Sequence, residues 1–302
     1  MDNQKMVEIN SGRCIGCGLC IKVCPFETLS LEKGKAEVTG ELCISCGHCA
    51  AACSCGAINV PRIDSSALEF ATFSLDHWWL PFGEYDTAGL VRLMTSRRSC
   101  RNYLDQPVAR QVLEDLAKIG TTAPSGTNSQ CWTFTILPTR KAVITLAEEV
   151  ASFFRKLNRM AENVILRKAL KLVGKGELDD YYEKYYALVK KSLDEWKESG
   201  KDRLFHGATA VIIVASKPGA TCPSEDALLA TQNILLAAHS MGLGTCLIGY
   251  AVAAMAQGTD MQCRLGMTSR EKVYAVIAIG HPNEKYETVA GRKQATLRYF
   301  EG

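Results

Sequence analysis

The stretch Cys14-Ile15-Gly16-Cys17-Gly18-Leu19-Cys20-Ile21-Lys22-Val23-Cys24-Pro25 sets four thiols apart by two, two and three residues. The same spacing returns at Cys43, Cys46, Cys49 and Cys53, an offset of 29. An internal repeat of this kind marks two copies of one small unit. Each copy ends in a short apolar segment, 28–31 and 57–60, that reads as a strand. Of the 14 cysteines, nine lie between Cys14 and Cys55, while Cys100, Cys131, Cys222, Cys246 and Cys263 are scattered. The opening MDNQKMVEIN carries no apolar export signal, so thiols clustered at short spacings point to metal rather than to disulfides.

The run that closes on Cys24-Pro25 resembles that of the bacterial ferredoxins. Iron–sulfur clusters need thiolate ligands, and a tight loop delivers three of them to one cubane while the fourth reaches the other. The pattern assigns Cys14, Cys17, Cys20 and Cys53 to one 4Fe-4S cluster, and Cys43, Cys46, Cys49 and Cys24 to a second. Gly16, Gly18 and Gly47 suit loops that wrap backbone amides around sulfur. Zinc is the rival, but it prefers well-separated CxxC pairs to two four-cysteine runs. Ser54 stands where the second run would carry proline, and Cys55 after it reads as a buried thiol or a cluster neighbour.

The whole chain has 302 residues, enough for two domains, with the 47% hydrophobic and 22% charged content of ordinary globular proteins. A net charge of +3 argues for neither a nucleic-acid nor a membrane partner, and no run of 18 apolar residues occurs. A soluble, cytoplasmic protein is expected. Residues 1–62 form the cluster module, whose six acidic and six basic side chains cancel. Residues 63–89 read as a linker or docking segment, irregular around Pro81 and Gly83, in which Trp78 and Trp79 are candidates to dock the module. Residues 90–302 follow as a second domain. Apolar spacing predicts helices at 87–96, 110–119, 141–172, 178–199 and 227–241, and strands at 131–137, 208–216 and 273–280.

Four segments of that domain carry chemistry. Ser96-Arg97-Arg98-Ser99-Cys100-Arg101 can grip a phosphate by charge-assisted hydrogen bonds, or be a solvated basic helix end. Ala123-Pro124-Ser125-Gly126-Thr127-Asn128-Ser129-Gln130-Cys131-Trp132 is dense in small polar groups, or a plain surface loop. The glycines of 241–250 let backbone approach a flat ligand, or merely stop a helix. Gly291-Arg292-Lys293 lies near the C-terminus. In this order the four resemble the nitroreductase family of FMN-dependent oxidoreductases, and the whole chain is similar to its ferredoxin-fused members. Cys131 replaces the proline usual after that glutamine.

The resemblance implies an α+β fold with a central, mostly antiparallel sheet flanked by helices, in an intertwined homodimer. It implies FMN held by Arg97, Arg98, Ser99 and Arg101, with Arg292 and Lys293 closing on the phosphate. Leu247, Ile248 and Gly249 would line the ring, and Pro124, Ser125, Gly126 and Asn128 would come from the other subunit. The expected activity is reduction of a nitroaromatic or other electron-poor small-molecule acceptor. Single electrons would enter through the clusters and collect on FMN, supplied by reduced ferredoxin or another low-potential donor, with NAD(P)H as the other possible source. Ene reduction and reductive dehalogenation are alternatives, as is a non-catalytic electron carrier or redox sensor. No side chain is assigned as a catalytic acid or base; His206 and His239 read as core or capping residues. Residues 141–205, with Phe153, Phe154, Tyr181, Tyr182, Tyr185 and Tyr186, form either a lid or ordinary packing.

Overall fold

The computed structural model describes residues 6–258 and 260–302. In the cysteine-rich module the runs of alternating turn and apolar residues are too short for long elements. They give β1 (Glu8–Ile9), α1 (Leu19–Lys22), β2 (Leu29–Glu32), β3 (Lys35–Val38), α2 (His48–Ala51) and β4 (Ile58–Asn59). β1 pairs with β4 and β2 with β3, both antiparallel. The small core joins Val7, Leu29, Ala57 and Val60 to Cys14, Cys20 and Cys49, so thiols stand at its centre. Gly16 is required there, because a Cβ on it would lie 2.1 Å from the Gly34 carbonyl oxygen.

The connecting segment begins with a 3-10 turn, Ser65–Leu68, whose N-cap Asp64 accepts from the Ser66 amide at 2.9 Å. It is tied to the second domain by the amides of Ala71 and Thr72, which donate to the buried Asp115 carboxylate at 3.0 and 2.8 Å. Trp78 and Trp79 do not fill the docking role expected of them. They are 89% and 72% exposed, and Trp79 meets Phe82 edge-on. An irregular backbone must place its amides, and a buried carboxylate satisfies that need where an indole cannot.

The second domain contains α3 (Thr87–Ser96), α4 (Arg110–Gly120), β5 (Trp132–Leu137), α5 (Arg140–Glu162), α6 (Val164–Leu172) and α7 (Glu177–Tyr181). A π-helical turn, Tyr182–Tyr186, joins α7 to α8 (Ala187–Ser199). Then come β6 (Ala210–Ser216), α9 (Pro223–Ser240), β7 (Gly244–Leu247), α10 (Gly249–Met255), α11 (Asp260–Arg264) and β8 (Lys272–Gly280). The sheet runs β5-β6-β8-β7, antiparallel throughout. β6 is buried along its whole length, which its unbroken apolar sequence anticipates. One face packs Ile212, Val214 and Ile277 on Leu113, Leu116 and Ile234 of α4 and α9. The other packs Val211, Ile213 and Val276 on Val143, Leu146 and Val150 of α5. This is the α+β architecture expected.

Two local predictions change. The helix expected over 141–172 breaks at Asn163, whose side chain turns back to accept from the Leu166 amide at 3.0 Å and caps α6. The glycine segment after α9 becomes an edge strand, β7, against which Ser99 forms a parallel bridge to Thr245. The chain comes this close because Gly244 has no side chain; a Cβ there would lie 2.7 Å from the Cys100 Cβ. Among the described residues no helix is long and apolar enough to cross a membrane.

Candidate functional site

The first cysteine run folds around one cavity and lends a residue to the other. Cys14, Cys17, Cys20, Cys53 and Cys55 line one; Cys24, Cys43, Cys46 and Cys49 line the second. Backbone amides aim at the sulfurs: Ala36 at Cys14 (3.4 Å), Ala57 at Cys53 (3.2 Å), Thr28 at Cys24 (3.4 Å) and Ser45 at Cys43 (3.3 Å). The Ala36 and Gly16 amides hold the Cys14 thiol below its ordinary pKa, whereas burial raises Cys20 and Cys49. Among the described residues no three His, Cys, Asp or Glu side chains converge as a single ion requires. The thiols instead surround two spaces with amides pointed at their sulfur, a donor set that fits cubane clusters. Cys55 sits 3.6 Å from Cys53, sulfur to sulfur.

In the second domain, the Cys100 amide donates to the Thr245 carbonyl at 2.8 Å and aligns 97–101 along the sheet edge. Arg97 is half-buried, and burial together with the charges of Arg292 and Arg98 lowers its pKa. Like charges gathered this way suit an anion such as a phosphate. Among the described residues Arg292 donates to the carbonyls of Ala290 and Gly291, and Lys293 is exposed beside it. Ser99 lies on the bridge to Thr245, and the Arg101 amide donates to Glu284 at 3.0 Å.

Arg101 also borders a cavity of about 990 Å³ whose floor is Leu247, Ile248 and Gly249. Helices α5, α7 and α8 close its far side with Phe154, Tyr181 and Trp196. Tyr181 is fixed by its hydroxyl, which donates to Asn158 at 2.7 Å, and burial raises its pKa. The expected lid residues divide. Phe154, Tyr181 and Tyr185 face the cavity. Tyr182 packs under Arg167, and Tyr186 donates to Glu162 at 2.7 Å, a bond that pushes its pKa up to about 12. His206, read from sequence as a core or capping residue, is in the cavity wall with a positive φ of 58° and a pKa lowered by burial. Its neighbours Arg203 and Trp196 also lie in that wall and carry no motif of their own.

The 124–130 loop lies elsewhere. Gly126 and Ser129 donate to the buried Asp226 carboxylate at 2.8 and 3.2 Å, at the start of α9. Pro124 is exposed and Ser125 accepts from the Gln130 amide at 3.1 Å. Arg97, by contrast, stands near His239, whose pKa is lowered by burial and by that charge. Asp226 and His239 are thirteen residues apart on α9, about 20 Å at the helical rise. Within one chain, the loop and the arginines do not meet.

Residues 94–281 match the Nitroreductase family and residues 6–54 the 4Fe-4S dicluster domain. Iodotyrosine deiodinase of Daphnia pulex is 25% identical over 195 residues, 63% of this chain and 58% of that protein. The chain thus spans less than two thirds of that relative's length. Ferredoxin-2 of Desulfomicrobium norvegicum is 53% identical over 30 residues, 10% of this chain and 51% of that protein. A nitroreductase with bound FMN from Desulfitobacterium hafniense DCB-2 shares the second domain's fold. It is 21% identical, with a TM-score of 0.50, covering 70% of this chain and 97% of that one. With the sheet, the arginine edge and the dicluster module in place, the chain belongs to the nitroreductase family and carries a 4Fe-4S dicluster domain ahead of its nitroreductase domain.

Proposed function

We propose that this chain is an FMN-dependent oxidoreductase that takes electrons in through two 4Fe-4S clusters and reduces a nitroaromatic or other electron-poor small molecule. The observation that carries the reading is the large aromatic-walled cavity floored by Leu247–Gly249 and set beside the arginine edge, in a chain that also builds two thiol cradles. When bound, the clusters supply one-electron transfer and the flavin the pairing of electrons. Arg97, Arg98, Ser99 and Arg101 would hold the phosphate and its chain, with Arg292 and Lys293 closing over it. The backbone of Leu247, Ile248 and Gly249 would lie against the ring. Phe154, Tyr181 and Trp196 line the cavity and offer faces for a conjugated acceptor. His206, whose pKa burial lowers, stands in that wall.

The division into 1–62, 63–89 and 90–302, with 141–205 over the cavity, follows this reading. The Pro124, Ser125 and Gly126 part of the loop lies a helix length from the arginines, which supports a homodimer in which a second copy brings it to the site, whereas the Asn128 side chain is taken up by Ile44 and Ser45 of the cluster module. Reductive dehalogenation is the second reading, favoured by the Daphnia pulex relative. A simple electron carrier is disfavoured by a cavity large enough for a substrate.

Anaerobic reconstitution tests this. About eight irons and one FMN per chain are expected, with the flavin reduced by a low-potential donor and not by NADPH or NADH alone. Fast reduction by NADPH with the clusters idle would overturn the electron path, and absence of flavin would overturn the assignment.

A further inference from the structure

The two cysteine cavities face different surroundings. The loop of the Cys14, Cys17, Cys20 and Cys53 cavity opens to solvent: Cys17 is exposed, and Ile15 beside it is 68% exposed. The loop of the other cavity, between Cys43 and Cys46, is hydrogen-bonded to the second domain. Asn128 Nδ2 donates to the carbonyls of Ile44 at 3.1 Å and Ser45 at 2.9 Å. Ser45 is buried, and its own amide donates to Cys43 Sγ at 3.3 Å. One residue therefore joins a cluster ligand to the other domain.

The Asn128 side chain is fully engaged in this junction. Both amide hydrogens have carbonyl acceptors, and Oδ1 accepts from Gln130 Nε2 at 2.8 Å. The backbone at Thr127, Asn128, Gln130 and Ser45 is left-handed, with φ of 50°, 54°, 46° and 52°. Non-glycine residues hold that conformation when surrounding bonds over-determine it. Here Asp226, buried at the head of α9, anchors the loop from beneath through Gly126 and Ser129.

We infer that Asn128 is a positioning residue for electron transfer between the domains, not a flavin ligand. It seats the Cys43–Cys46 loop, so that electrons leave the module from the Cys24, Cys43, Cys46 and Cys49 cluster. The exposed Cys14, Cys17, Cys20 and Cys53 cluster receives them from a low-potential one-electron donor. Each passage oxidises the donor by one electron and reduces the receiving iron by one, which then passes it on; no bond forms and no proton moves. Two passages serve each two-electron reduction. The inference rests on the cluster-fed reading above.

The test uses full-length reconstituted protein with Asn128→Asp and Asn128→Gly. Both tolerate a left-handed backbone; the first turns a carboxylate toward two carbonyls, and the second removes the side chain. Iron, sulfide and FMN contents and the rate of cluster reduction by dithionite should match the parent. Amide exchange at 44–46 and 126–130 should rise, and flavin reduction should slow, each by about tenfold or more. Loss of FMN without faster exchange would overturn the inference in favour of a flavin contact. An opened junction with unchanged flavin reduction would place the exit elsewhere, and unchanged exchange would show that Asn128 does not seat the loop. If the parent's clusters are reduced but its flavin is not, the cluster-fed reading fails, while amide exchange still reports the Asn128 contact.

Discussion

Asp115 is 1% exposed on α4, yet it carries a charge. Burial alone would raise its pKa, but the Thr72 hydroxyl, the Ala71 and Thr72 amides and the Lys118 ammonium outweigh that, and the net shift is downward. The carboxylate is thus the anchor of the interdomain segment. Asp115→Ala is expected to cost about 1–3 kcal/mol and to expose 63–86 to protease, read by thermal melting and limited proteolysis. Because the folded pKa is depressed, the stabilisation is complete above the unfolded value, about 3.9, and is lost as pH falls through the folded value. Proteolysis of the parent segment should therefore be flat across neutral and weakly acidic pH and rise only below that range; Asp115→Asn should remove the pH dependence. Nothing in the sequence marks Asp115, since the amides of Ala71 and Thr72 and the Thr72 hydroxyl that bind it lie 43 and 44 residues away.

The helices over the cavity show how far periodicity reaches. Apolar spacing locates α3, α4, α9, the start of α5 and the strands β5, β6 and β8 within a few residues, because each is long enough to show its period. It misses the break at Asn163, where one side-chain bond outweighs a continuous helical pattern. Asn163→Ala is expected to cost about 1 kcal/mol and to speed amide exchange at 164–172 while leaving α5 protected. Strands β1, β3 and β7, of two to four residues, carry too little pattern to be read alone. They exist because a neighbour offers a ladder, as β8 does for β7.

For the whole molecule, the exit cluster and the arginine edge lie at opposite ends of α9 in one chain. Electrons leaving by the Asn128 junction would then reach the flavin of a second copy. Mixed dimers decide it: one copy carries Cys43→Ser with its arginines intact, the other keeps its clusters but carries Arg97→Ala and Arg98→Ala. Transfer between copies predicts rapid flavin reduction by dithionite through the clusters in the mixed dimer and none in either parent dimer. Slow reduction in all three would return the path to a single chain.

The cysteine spacing and the buried strands are local patterns, and the sequence alone was enough to reveal a two-cluster module and an α+β domain. Cluster ligation depends on a few residues at fixed intervals, so it survives any arrangement of the rest. Which loop meets which is decided by long-range packing. That Asn128 bonds to Ile44 and Ser45, that His206 enters the cavity wall, and that Trp78 and Trp79 stay in solvent follow from contacts between residues far apart in the chain. Only the assembled sheet, with its helices and docked module, brings those contacts about.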